Sequence, residues 1–181
     1  MLRQLGLKFK VVPSLVEEGL NPRLQPKGQA EVLSLKKAEF VAEKYKGRSQ
    51  DETPIVISAD TIVAIDSEVL GKPRDETQAK QMLRKLSGKS HSVFTGFTIV
   101  DVESKRTVTK SVETRVYFRK LSEREIREYV KIEKLSDKAG AYAIQGTGAI
   151  FVERIEGDYF NIVGLPLQAL AFELRKFGVE V

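Results

Sequence analysis

The chain has 181 residues and 20.3 kDa, is 41% hydrophobic and 30% charged, and contains no Cys and one His. That length suits one domain burying roughly 70% of its unfolded surface, and the Cys and His counts exclude disulfides, thiolate catalysis and a multi-histidine metal site, leaving only a hard, oxygen-bound metal. The net charge of +5 suits an anionic ligand, but Lys and Arg are interspersed with Asp and Glu and no nucleic-acid-binding motif accompanies them, so a phosphorylated small molecule is expected and not a nucleic acid.

Met1–Pro13 reads as the tail of a helix stopped by Gly6, then a strand over Lys8–Val12. A helix tail without a beginning suggests preceding sequence. Ser14–Gly28 is a loop carrying Glu17, Glu18, Pro22 and Pro26, and Gln29–Tyr45 follows with helical spacing, closed by Gly47. Pro54–Ala59 is short and β-branched, as in a strand buried on both faces, and Asp60 ends it. A carboxylate there loses hydration unless it meets a cation, a metal or donors, so it asks for a partner. Thr61 adds a hydroxyl, and Gly71-Lys72-Pro73 sets a cation in a turn, suited to phosphate.

Asp75 is a helix N-cap with Gln78 three residues on, and Ala79, Met82, Leu83 and Leu86 form the apolar stripe. His91–Val100 and Thr107–Phe118 read as a long hairpin. Ser122 and Glu125 make a capping box, with Leu121 and Ile126 as a hydrophobic staple, opening a helix that runs to about Ile132. From Ser136 the chain is rich in Gly and small residues, with a strand at Ala149–Ile155. Pro166 then starts a last helix whose inward face is Leu167, Leu170, Ala171, Leu174 and Phe177. No apolar run approaches the ~18 residues of a membrane span and no leader pattern opens the chain, which fits a cytoplasmic protein.

The polar candidates are Glu17, Glu18, Lys37, Asp60, Thr61, Lys72, Asp137, Lys138 and Gln145. Taken together, carboxylates for a divalent cation and lysines for phosphate oxygens describe a nucleotide or polyphosphate site. Phosphoryl chemistry needs neutralised charge, a held water and a carboxylate to orient or deprotonate it. His91 has no Gly-x-Ser-x-Gly elbow nearby and reads as structural. There is no P-loop, and Gly146-Thr147-Gly148 lacks the rest of a dinucleotide fingerprint.

Ser58-Ala59-Asp60-Thr61, Gly71-Lys72-Pro73, Leu86-Ser87-Gly88, His91–Gly96, Asp137–Tyr142, Ile144-Gln145-Gly146 and Phe160–Pro166, in that order, resemble the Maf nucleotide pyrophosphatases. The resemblance covers essentially the whole chain. It implies a single α/β domain over residues 1–181 with a mixed central sheet in two lobes and a cleft between them, similar to inosine-triphosphate pyrophosphatase, and a homodimer. The family's opening strand and Ser-x-x-Arg-Arg loop have no counterpart in this sequence, a difference that implies a missing N-terminal part.

The implied reaction is metal-dependent hydrolysis of a nucleoside triphosphate, with Mg²⁺ or Mn²⁺, to the monophosphate and pyrophosphate. Asp60 matches the family's proton acceptor. Glu18, Lys37, Lys72 and Gln145 match site-lining positions, with Glu18 and Asp60 as the metal carboxylates. Thr61 and Gln145 match the dTTP and UTP subgroup. Two other readings stand beside this one: a nucleotide-binding regulator of cell division without turnover, and a nucleic-acid module resting on charge alone.

Overall fold

The computed structural model describes residues 1–48, 53–133, 135 and 137–181. Ser136, where the glycine-rich stretch begins, lies outside the described residues. Five strands form one sheet in the order β2-β1-β3-β4-β5: Ile55–Ile65 (β1), Glu68–Leu70 (β2), Ser90–Asp101 (β3), Thr107–Phe118 (β4) and Val152–Glu156 (β5). Every pairing among them is antiparallel, where a mixed sheet was expected. Tight connections dictate much of this. Asp66 and Ser67, both at positive φ, turn β1 back into β2, and a short loop turns β3 back into β4.

Asp60 does not end the central strand. β1 runs straight through it because β3 pairs with β1 residue for residue, Asp60 opposite Gly96 and Thr61 opposite Thr95. Period-two alternation then sends Asp60 and Thr61 to opposite faces of the sheet. One face carries Val56, Asp60 and Ile62 against helix Pro26–Glu43 (α1), where Ala30, Leu33, Ala38 and Ala42 are buried. The other face carries two apolar clusters. One joins Val63, Ile65 and Val93 to helices Glu76–Leu86 (α2) and Glu123–Ile132 (α3). The second joins Phe97, Ile99 and Ala59 to helix Leu167–Lys176 (α5).

The local signals of α2 and α3 are realised. Asp75 Oδ1 accepts from the Gln78 N–H at 2.8 Å, and the stripe Ala79, Met82, Leu83 and Leu86 is buried. Ser122 and Glu125 form the capping box, with Leu121 and Ile126 packed in the same core. Helix α1 starts earlier than its apolar spacing indicates, since Pro26 occupies its first turn, where a missing N–H costs nothing.

Three other expectations are corrected. Lys8–Val12 makes no ladder; the regular element before it is Leu2–Leu5, a 3-10 turn ended by Gly6 at φ 73°. The expected strand Ala149–Ile155 is half 3-10, since Gly146–Phe151 coils before β5 begins, with Gly148 pressed against the Ala143 carbonyl and the Tyr129 ring. A short helix Tyr159–Val163 (α4) precedes α5, and Pro166 stands as the N-cap of α5.

Candidate active site

A cleft of about 280 Å³ opens where β1 loses its neighbour: β2 pairs only with Val63–Ile65, so the β1 edge at Ala59, Asp60 and Thr61 is free to line it. Because Asp60 and Thr61 point to opposite faces, the cleft wraps around that edge. Its lining combines the charged side chains of Lys37, Asp60, Lys72, Asp137 and Lys138 with apolar Val63, Val93, Tyr142, Ile144 and Ile162, and with Thr61, Gln145 and Gly164.

Helix α1 delivers Lys37. It can lie on the sheet because β3 has Gly96 where the helix crosses; a Cβ there would sit 2.3 Å from the Ala30 carbonyl. Ser34 continues the contact, with its hydroxyl 3.0 Å from Thr98 Oγ1 and its carbonyl accepting from the Ser58 hydroxyl. Lys37 Nζ then reaches Asp60 Oδ1 at 2.5 Å and Glu18 Oε1 at 2.6 Å. Glu18 Oε2 in turn meets Lys72 Nζ at 2.5 Å. The result is an alternating chain, Asp60 to Lys37 to Glu18 to Lys72.

Burial decides how these groups behave. The Asp60 side chain is 9% exposed and Lys37 18%, against 37% for Glu18 and 49% for Lys72. Burial pushes the Asp60 carboxyl above its ordinary range, opposed by the Lys37 hydrogen bond and charge. Burial also works against the charge on Lys37, yet the hydrogen bonds to Asp60 and Glu18 outweigh it and hold the ammonium above its usual value. Glu18 is held below the carboxylate range by hydrogen bonds from Lys37 and Lys72. A carboxylate raised by burial beside a fixed cation is what a general base needs.

Two further segments complete the cleft. Gly140, at φ 70°, bonds the Gly71 carbonyl through its N–H at 3.1 Å and packs so that a Cβ would lie 3.0 Å from Val63 Cγ1. That junction holds the turn bearing Lys72 against the segment bearing Asp137 and Lys138, themselves paired at 3.1 Å. Glu18 lies in an irregular segment tethered by Gln29, a buried side chain whose Oε1 accepts from the Asn21 N–H and whose Nε2 donates to the Asn21 carbonyl.

The structure thus brings Glu18, Lys37, Asp60 and Lys72 into contact and sets Thr61 and Gln145 on the same cleft. Glu17 joins none of these contacts. His91 is structural: 3% exposed, its Nε2 lies 2.8 Å from the Tyr142 hydroxyl and its ring packs edge-on against Phe118. Sequence reasoning missed the support beneath Thr61, where Thr95, Thr114 and Asn161 are fully buried and bonded to one another. Strand register brings Thr61 opposite Thr95 and Val93 opposite Thr114, and Asn161 reaches them from α4. A larger hollow of about 570 Å³ runs along the first half of β1 and shares Lys37 with the cleft. Among the described residues it is lined by no carboxylate, so the candidate chemistry is assigned to the smaller cavity.

Among the described residues no cluster of three or more His, Cys, Asp or Glu side chains could hold a metal by itself. Glu18 and Asp60 nevertheless offer hard oxygens on either side of Lys37. Such a pair fits Mg²⁺ or Mn²⁺ in the manner of sites where one or two carboxylates are completed by substrate phosphates and water.

The model of the Maf family, described as Maf-like protein, matches residues 1–177. A protein from Thermoanaerobacter sp. strain X514 is 48% identical over 181 residues, spanning 100% of this chain and 91% of that relative. Relatives from Syntrophomonas wolfei (45% identical, 93% of its length) and Caldicellulosiruptor saccharolyticus (44% identical, 90% of its length) also match 100% of the chain. All three are named dTTP/UTP pyrophosphatase. With its α/β architecture and a match of this extent, the chain belongs to the Maf family.

Proposed function

We propose that the protein hydrolyses dTTP and UTP between the α and β phosphates, releasing the nucleoside monophosphate and pyrophosphate. The observation that carries this reading is the buried Asp60 carboxylate held against Lys37 in the lining of a cleft that Lys72 also lines. Relatives bearing the name dTTP/UTP pyrophosphatase give the substrate class.

In this reading the triphosphate enters with its charge toward Lys37, Lys72 and Lys138 and its nucleoside toward Thr61 and Gln145. The phosphate oxygens compete with Glu18 for the two lysines it bridges, and the ammonium groups offset the negative charge that builds on the departing pyrophosphate. Asp60, raised by burial, accepts a proton from the attacking water as the new P–O bond forms. Lys37 keeps the Asp60 carboxylate oriented and stabilises its charged form. A divalent cation held by Glu18 and Asp60 would supply Lewis-acid polarisation of the phosphates.

The working form in this reading is a cytoplasmic homodimer acting on free nucleotides, with no nucleic acid or membrane as partner. Among the described residues no helix is long and apolar enough to cross a membrane. Sedimentation at equilibrium reads the assembly. Incubation with UTP, dTTP and 7-methyl-GTP, with Mg²⁺, Mn²⁺ or chelator, followed by phosphorus NMR of the products, tests the reaction. Monophosphate and pyrophosphate from UTP and dTTP are expected. Diphosphate and orthophosphate would reject the assigned bond, and full activity in chelator would reject the metal.

A further inference from the structure

The Thr61 hydroxyl stands at the head of a hydrogen-bond chain whose direction is fixed. A threonine hydroxyl has one proton to donate and two lone pairs. Thr95 Oγ1 lies 2.7 Å from the Asn161 carbonyl, which can only accept, so the Thr95 proton is committed there. Toward Thr61 Oγ1, 2.8 Å away, Thr95 can then only accept, and Thr61 must donate. Asn161 cannot reverse this. It is fully buried, its Oδ1 accepts the Thr95 backbone N–H at 3.1 Å, and its Nδ2 donates to the Val93 carbonyl and Thr114 Oγ1, each at 2.9 Å. Flipping the amide would oppose donor to donor and acceptor to acceptor.

With its proton turned inward, Thr61 offers only lone pairs to the cleft that it lines. Gly164 keeps the approach clear, since a Cβ at this position would come within 3.4 Å of Thr61 Oγ1. Resting on the nucleotide reading above, we infer that Thr95 and Asn161 are positioning residues that make Thr61 an obligate acceptor, so the nucleoside must present an N–H or O–H donor to it. Thr61 shares the apolar face with Val63 and Val93, across the β1 edge from Asp60, so this donor belongs to the non-phosphate part of the ligand. A donor that serves both proposed substrates must be common to uridine and thymidine nucleotides, which excludes the ribose 2′-hydroxyl and leaves two groups: the imide N3–H and the sugar 3′-hydroxyl.

Calorimetry of the wild-type protein with UTP, N3-methyl-UTP and 3′-deoxy-UTP separates the two sources. The analogue lacking the relevant donor is expected to bind about tenfold more weakly than UTP, and which one does so identifies the group. Thr61→Val and Thr95→Val should shrink that gap to about threefold or less, whereas Thr95→Ser, which keeps a hydroxyl, should restore it. Both analogues binding as tightly as UTP overturns the inference, as does a gap that survives either valine substitution. The wild-type comparison decides the matter even if Thr95→Val does not fold. UTP that binds with this selectivity but is not cleaved would remove the pyrophosphatase reading and leave the inference standing; no UTP binding at all would remove both.

Discussion

The backbone of Ala30 rests on Gly96, with no room between them for a methyl group: a Cβ on Gly96 would lie 2.3 Å from the Ala30 carbonyl oxygen. That contact sets the height of α1 above the sheet. About two turns further along the same helix, Lys37 meets Asp60, so a packing contact fixes the distance between a cation and a carboxylate.

Gly96→Ala should therefore damage both stability and site. Overpacking against backbone is expected to cost about 3 kcal/mol in urea unfolding, with hydrolysis reduced as Lys37 shifts. A variant that unfolds at the wild-type midpoint would show that the helix seat is not as tight as the contact indicates.

Lys72 is more exposed and stands at the far end of the ion-pair chain, where it can meet phosphate without supporting Asp60 directly. Lys72→Ala should raise the KM for UTP by about tenfold and change kcat less, since a charge-assisted contact present in the bound substrate is lost. An unchanged KM would mean that the triphosphate does not extend to Lys72.

His91 links the fold to pH. Burial lowers its imidazole from 6.5 to about 4, so the folded protein keeps it neutral. Above pH 6.5 its contribution to stability is fully present. As pH falls below 6.5 the unfolded chain takes up a proton that the folded chain refuses, and stability is lost down to about pH 4, by roughly 3 kcal/mol. Denaturant melts of wild type and His91→Gln across that window should show a shallower decline in the variant. Parallel curves would contradict the assignment.

Much of the scaffold was legible because its signals are local. The Asp75 cap, the Ser122 and Glu125 box and the long hairpin each depend on residues a few positions apart. The site was legible unevenly. The misplaced carboxylate pointed to Asp60 directly and the Gly71-Lys72-Pro73 turn to Lys72, while Lys37 and Gln145 rose above other polar residues only through the family resemblance. Reading Asp60 as a strand end failed because continuity was supplied by β3, through a register that pairs Asp60 with Gly96. The same long-range pairing, and the packing of α4 against β3, hid the Thr95 and Asn161 support, since Thr and Asn are usually read as turn or surface residues. Glu173 joins both kinds of signal: buried in α5, it meets Lys176 three residues on in the same helix and Lys110 from β4, and only the second partner depends on the fold.

Asp60→Asn keeps the size and most of the hydrogen bonding of the native side chain while removing its capacity to take a proton. The decisive measurement is the rate of pyrophosphate release from UTP by this variant and by wild type, with folding checked by thermal melting. A folded variant slowed by about 10²–10⁴-fold is the predicted result. A folded variant releasing pyrophosphate at close to the wild-type rate would contradict Asp60 as the group that activates water.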